Sequence, residues 1–268
     1  MPMDHTDYTE ANRRAWNEAQ TKKPAGSFAR ALARLRAGED LIHDDIVDAL
    51  ATIPLQGRAV AQFCCNNGEE LLSLCRRGAA GCVGFDIADN FIDEATALAR
   101  GLDLDCRFVR TDILGIEGYD ERFDVLLVTI GALTWFRDLD PFFGTARRVL
   151  KRGGTMLIHE THPVVNMLAV PGEKEYRADD PARLANSYFK AEPWIETDGI
   201  FYLAGKTYPS QPLYSWSHPF TAIVGAMVRN GLTITGLTEY DHDIGSIGSG
   251  DLDGKGIPLS YLMTAVKA

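Results

Sequence analysis

An α/β fold, a doubly wound parallel sheet with helices on both faces, is predicted by three observations. Short apolar runs rich in β-branched and aromatic residues alternate with segments of helical periodicity. The run Phe123 to Thr129 (FDVLLVT) is apolar almost without interruption, as a parallel strand buried on both faces requires. The stretch Arg58 to Asp86 reads as strand, tight polar turn, helix and strand, with an acid at the tip of the second strand. That is the layout of a nucleoside-binding crevice.

The elements follow in order. Tyr8 to Ala19 is amphipathic with Trp16 as its one large apolar residue, and by itself would be a frayed terminal helix. Ser27 to Arg36 and Asp40 to Leu50 carry apolar residues at helical spacing, separated by Gly38, and Pro54 and Gly57 break the chain before the first strand. Ala59 to Phe63 is that strand, Cys64 to Gly68 the turn, Glu69 to Arg77 a helix closed by Gly78, and Cys82 to Phe85 the second strand. Asp89 to Arg100 is helical, with Asp89 or Asn90 placed to cap it and Gly101 to stop it. Cys106 to Val109 is the third strand and Phe123 to Thr129 the fourth. A helix from Asp140 to Leu150 has Pro141 in its first turn and Arg147, Arg148 and Lys151 near its negative end, and Gly153-Gly154 turns into the fifth strand, Thr155 to His159.

Regularity lapses from Pro163 to Pro219, an aromatic-rich segment. A structureless loop of that length is improbable in a compact domain, so a helix followed by a hairpin of Tyr188 to Ile195 with Gly199 to Tyr208 is expected. Phe220 to Arg229 resumes as a helix, Leu232 to Tyr240 as a strand, Asp241 to Lys255 is an acidic, Gly-rich connection, and Leu259 to Val266 the last strand. One domain spanning residues 1–268 is expected, with an N-terminal helical cap (1–56), a cofactor-binding core (57–162), a lid (163–219) and the rest of the sheet (220–268).

Composition narrows the function. The chain has 268 residues, 46% hydrophobic and 24% charged, which is ordinary for a globular protein. With 27 Lys and Arg against 37 Asp and Glu, the net charge of −10 would repel a nucleic-acid backbone or an anionic membrane, so neither is expected as a partner. No signal-peptide core or membrane-length apolar run is present, and a cytoplasmic location is expected. The five cysteines (Cys64, Cys65, Cys75, Cys82, Cys106) form no CxxC pair and have no His at ligand spacing, so they are expected to be reduced and structural.

Backbone N–H groups at a strand-to-helix turn can meet a ligand closely only where side chains leave room, which favours Gly and tolerates Asn. Here only Gly68 is Gly, with Asn66 and Asn67 before it. The missing GxGxxG argues against a pyrophosphate, and with it NAD or FAD. Asp86, 18 residues past Gly68, can accept hydrogen bonds from both hydroxyls of a ribose; the alternative is a solvated loop carboxylate that caps the next helix. Asp112 can accept from an exocyclic adenine amine, with Ile87 and Ile113 flanking the ring, or be a plain loop Asp. Thr129 to Trp135 ends the fourth strand at the switch region, where Trp135 either walls a pocket or anchors the next helix. His159 and His162, beside Glu160, are candidate general bases; otherwise they are imidazoles hydrogen-bonded in the wall. Their spacing lacks HExxH, and DLDGKG near the end lacks the distal Glu of an EF-hand, so no metal is expected.

The segments VAQFCCNNG, GFDIADNFIDEA, FVRTDI, FDVLLVTIGALTWFRDLDPF, RVLKRGGTMLIHETHP and GIPLSYLMTAVK, in that order, resemble class I S-adenosylmethionine-dependent methyltransferases over nearly the whole chain. They look most like a small-molecule branch, of the methyltransferase type 11/25 kind, whose first motif reads Cys-Asn-Asn-Gly. In the usual motif, hydrophobic-Asp/Glu-x-Gly-x-Gly-x-Gly, Gln62 stands at the acidic position and Cys64 and Asn66 stand where the first two glycines fall.

The resemblance implies a Rossmann-like seven-stranded sheet with its last strand antiparallel, an aromatic-rich insert after strand 5, and S-adenosyl-L-methionine as cofactor. It implies Asp86 at the ribose, Asp112 at the adenine amine, and Cys65, Asn66, Asn67, Gly68 and Thr129 at the methionine part. RRAWNEA, with Trp16, would cover the cofactor. The reaction would be methyl transfer to an O, N or C atom of a small molecule by in-line displacement. Trp135, Trp194, Tyr214 and Trp216 would wall the acceptor pocket, the alternative being the insert's own core or a homodimer surface. Two other readings compete: a Rossmann-type NAD(P) oxidoreductase, and a non-catalytic relative that holds the cofactor as a regulatory or scaffold ligand.

Overall fold

The computed structural model describes residues 4–170, 173–245 and 250–268. Part of the expected acidic connection, at 246–249, and two residues of the insert, 171 and 172, lie outside them. The N-terminal cap comprises α1 (His5–Thr21), α2 (Ser27–Arg36) and α3 (Asp44–Leu50). The core follows as β1 (Ala59–Phe63), α4 (Glu69–Arg76), β2 (Ala80–Asp86), α5 (Asp89–Leu102), β3 (Cys106–Arg110), β4 (Phe123–Thr129), α6 (Leu139–Val149) and β5 (Leu150–Thr161). The insert contributes β6 (Trp194–Glu196), α7 (Phe201–Ala204) and β7 (Leu213–Ser215), and the chain closes with α8 (Phe220–Arg229), β8 (Leu232–Tyr240) and β9 (Ser260–Lys267).

Seven strands form one sheet in the order β3-β2-β1-β4-β5-β9-β8. β1 to β5 run parallel, and β9 is antiparallel to both of its neighbours. The order reverses between β1 and β4, which opens a crevice at their carboxyl ends. An antiparallel strand set between β5 and the edge also separates this sheet from the all-parallel dinucleotide-binding order.

Alternation along the strands divides the core into two layers. Phe63, Phe85, Val128 and Ile158 pack with α6 and α8 on one face, while Val60, Leu127 and Leu157 pack with α3 and α4 on the other. Each such side chain, fully buried, stabilises the fold by roughly 1.5–3 kcal/mol.

Several local expectations need correction. α1 is not frayed, because Asp4 and Asp7 form a reciprocal capping box at its start. α3 begins only at Asp44, where the His43 side chain accepts the Asp45 N–H. α5 is capped by neither Asp89 nor Asn90; Ala88 holds that position, and Asp103 in the left-handed region, not Gly101, ends the helix. β5 starts at Leu150, five residues earlier than expected. The hairpin pairs Trp194–Glu196 with Leu213–Ser215, and backbone bonds from Tyr208 to Asp198 and from Ser210 to Thr197 continue it. Gly199 to Tyr208 is thus the hairpin's wide loop, with α7 inside it, and not its second strand.

Candidate functional site

The β1–α4 turn holds an unusual backbone. Cys64 (φ 52°), Asn66 (φ 50°) and Gly68 (φ 75°) are all left-handed. These are the three positions at which the resembling motif carries glycine. A left-handed residue other than Gly costs about 1–2 kcal/mol, less for Asn, so strain is concentrated where a ligand-binding turn would keep it. Local bonds hold the turn: the Asn67 N–H donates to Asn66 Oδ1 (2.7 Å), the Cys65 N–H to Phe85 O (3.1 Å), and the Gly68 N–H to Cys65 O (2.9 Å). Gly68 admits no side chain, since a Cβ there would lie 2.4 Å from the Phe108 ring. Cys65 is buried with its sulfur against Gly84, and burial pushes the Cys64 and Cys65 thiols well up, out of nucleophilic range.

Asp86, at the tip of β2, is clamped to this turn. Its Oδ2 accepts the Asn66 N–H (2.8 Å) and its Oδ1 the Ala88 N–H (2.9 Å). Desolvation raises its pKa, and the backbone bonds from Ala88, Asn66 and Ile87 oppose the rise. The carboxylate keeps lone-pair capacity for a ligand. Ile87 is half-buried beside it, whereas Ile113 is buried in the core. Asp112 caps the 3-10 helix Ile113–Gly115 through Leu114 N–H (3.0 Å), and its Oδ2 meets His5 Nε2 of α1 at 2.9 Å.

Under the other end of the turn lies a polar network that only the fold assembles. Thr129 Oγ donates to Glu70 Oε2 and accepts from Gln62 Nε2 (2.9 Å), and Gln62 Nε2 also donates to Glu70. Glu70 thus brings a carboxylate to the place where the motif's acid is replaced by Gln62. Desolvation pushes the Glu70 carboxyl up, against those hydrogen bonds. Gln62 Oε1 is buried with no partner, an acceptor left open. Beyond Thr129, Glu160 accepts the N–H groups of Gly131 (2.6 Å), Ala132 (2.7 Å) and Leu133 (3.1 Å), which fixes the loop after β4. Burial raises its pKa to about 7.

α1 and the insert roof this floor. Asp89, at the start of α5, binds Arg13 and Asn17 of α1, and Glu94 binds Gln20 and Lys23. Asn12 exchanges two 2.8 Å bonds with the Tyr214 backbone, joining α1 to β7. Trp16 meets Trp135 edge to face at 5.4 Å, and Tyr8 meets Tyr214 at 5.1 Å and Trp216 at 5.0 Å. The expected wall residues Trp135, Tyr214 and Trp216 therefore gather along α1. Trp194 is held on the far strand of the hairpin by Ser217 and lies under Lys190. Tyr202 of α7, 54% exposed as a whole residue, was not singled out from the sequence: desolvation of its phenol, and after it the Asp86 charge, hold its pKa above the ordinary range.

His159 and His162 do not share a site. The two-residue period sends His159 to the α3 face, where Nε2 meets Asp45 Oδ2 at 3.1 Å. His162 lies on the opposite face against Phe220, bonded to Glu239 (2.9 Å) and accepting the Val164 N–H. Burial lowers both pKa values, that of His159 to about 4. All five cysteines are free.

Residues 60–154 match the family model described as a methyltransferase domain. Among solved structures, an S-adenosylmethionine-dependent methyltransferase from Mesorhizobium loti superposes with TM-score 0.63 at 20% identity, covering 84% of this chain and 98% of that one. A SAM-dependent methyltransferase from Methanosarcina mazei gives 0.58 at 17%, covering 84% and 98%. The geranyl diphosphate C-methyltransferase of Streptomyces coelicolor gives 0.56 at 13%, covering 91% and 85%. No curated protein matches the chain.

Proposed function

We propose that this chain, whose residues 60–154 form a methyltransferase domain on the class I S-adenosylmethionine-dependent methyltransferase fold, methylates an O, N or C atom of a small-molecule acceptor. S-adenosyl-L-methionine is the cofactor. The observation that carries the reading is the left-handed turn at Cys64, Asn66 and Gly68 tied through the Asn66 N–H to Asp86.

The residues present fit the cofactor. Asp86 takes the ribose hydroxyls on its remaining lone pairs. Asp112 takes the adenine amine in exchange for its His5 contact. The open acceptor Gln62 Oε1, held in orientation by Glu70 and Thr129, suits the ammonium of the methionine part. The turn's backbone and Trp16 enclose the same end. When bound, the cofactor supplies an electrophilic sulfonium methyl group.

The chain's task is then alignment and the exclusion of water, and no protein nucleophile is required. α1 and the insert close over the crevice, and Trp135, Tyr214 and Trp216 offer flat apolar walls with polar edges to an acceptor. Small molecules are also what two of the structural neighbours are described as methylating, geranyl diphosphate in one and magnesium protoporphyrin IX in the other. His159 and His162 are spoken for by Asp45 and Glu239, so transfer proceeds without either as a base.

The test incubates the protein with S-adenosylmethionine and a panel of metabolites and follows products by mass spectrometry. A product carrying one added methyl group supports the proposal. Binding of NADH without binding of S-adenosylmethionine would reverse it in favour of an oxidoreductase.

A further inference from the structure

A second cluster of functional side chains lies on the α3 face of the sheet. His43, Asp45 and His242 each bring a ligand atom to within 4.8 Å of the others. The first two open α3 and the third follows β8, so only the fold joins them. Asp45 Oδ2 is 2.8 Å from His242 Nε2, 3.1 Å from His159 Nε2 and 3.2 Å from His43 Nδ1.

The hydrogen bonds of the cluster do not close. His43 Nδ1 already accepts the Asp45 backbone N–H at 3.2 Å, so it carries no proton for the Asp45 carboxylate beside it. An acceptor nitrogen therefore faces an acceptor oxygen. The His43 and His242 rings stack at 5.6 Å and 14°, and His159 Nδ1 is buried with no partner. A cation relieves this arrangement, because imidazole nitrogen and carboxylate oxygen are both ligands of first-row divalent metals, while calcium and magnesium favour all-oxygen sets. Side-chain exposures of 32% for His43, 15% for Asp45 and 36% for His242 leave an approach from solvent and open coordination positions. His159, fully buried behind them, orients the Asp45 carboxylate through its Nε2–H.

We propose that His43, Asp45 and His242 form a binding site for one first-row divalent cation, with zinc as the favoured ion. The cation ties the start of α3 to the end of β8. The site uses neither the Asp86 crevice nor the aromatic walls, so it stands apart from the methyl-transfer reading.

The experiment strips the full chain with a chelator, dialyses it against Zn2+ or Co2+, and measures bound metal by elemental analysis and the Co2+ form by visible absorption. One ion per chain is expected, without a sulfur-to-cobalt charge-transfer band. His242→Ala and His43→Gln should each weaken binding on the order of tenfold or more. At equal zinc, the metal should raise the melting temperature of the unsubstituted protein clearly more than that of His242→Ala, each measured against its own metal-free form. No binding at millimolar metal, a thiolate band from the free cysteines, or full affinity in both variants would overturn the proposal.

Discussion

Cys64 and Asn66 adopt the backbone that glycine would adopt without cost, and Gly68 completes the series. The left-handed path of the turn is therefore kept while its residue types change. Gly68 is the position with no tolerance. A Cβ there would meet the Phe108 ring at 2.4 Å and Ala95 at 3.1 Å, in a conformation L-residues avoid. Gly68→Ala is expected to lower stability by about 2–5 kcal/mol, the sum of overpacking and left-handed strain, read from the shift of a denaturant midpoint. A loss below about 0.5 kcal/mol would show that the turn is looser than described. At this scale the sequence was legible where chemistry and position coincide, as at Asp86 on a strand tip. It was misleading at His159, Glu160 and His162, which are neighbours in sequence but alternate between faces of the sheet. Glu160 is the member of that group that pins the loop after β4. Glu70 was invisible as a partner for Gln62 because an ordinary acidic residue in a first helical turn already has an explanation at that place.

Among the elements, α1 changes most between sequence and structure. Its one large apolar residue made it look unanchored, yet polar bonds to Asp89, Glu94, Asp112 and Tyr214 hold it as a roof. The same bonds took Asp89 away from the capping role its position suggested. The His5–Asp112 contact gives this roof a pH dependence. Hydrogen bonding to Asp112 raises the His5 pKa above 6.5, so its contribution is complete below 6.5 and is lost as pH rises through the raised value. The Asp112 pKa is lowered below 3.8 through its bond from His5, against the opposing effect of burial, so its contribution is complete above 3.8 and is lost as pH falls through the lowered value. The tie is therefore fully formed between those limits. Amide protection at the start of α1, corrected for intrinsic exchange, should decline from pH 6 to pH 8.5 in the unliganded protein, and His5→Ala should remove the decline. Constant protection across that range would disprove the tie. The insert was the least legible element, because β6 and β7 are three residues each and are set by contacts to α1 and to the loop after β4, not by local periodicity.

For the molecule as a whole, the parallel core was legible because strands buried on both faces leave near-continuous apolar runs, and β1 and β4 fall at their expected limits. Strand order was not a local signal; the family resemblance gave an antiparallel last strand, which is present as β9, and its place between β5 and β8 is seen only in the fold. The cluster of His43, Asp45 and His242 could not be read from spacing, since nearly two hundred residues separate its parts. The sheet reversal, the left-handed turn and the carboxylates of Asp86 and Asp112 all lie at the carboxyl ends of the parallel strands. The most direct measurement is a calorimetric titration of S-adenosylmethionine into the wild-type protein and into Asp86→Ala, with circular dichroism confirming that the variant keeps its sheet. The predicted result is binding weakened by at least about 1.5 kcal/mol, roughly tenfold or more, the scale of a hydrogen bond to a charged group. Equal affinity in a folded Asp86→Ala protein would contradict the placement of the cofactor.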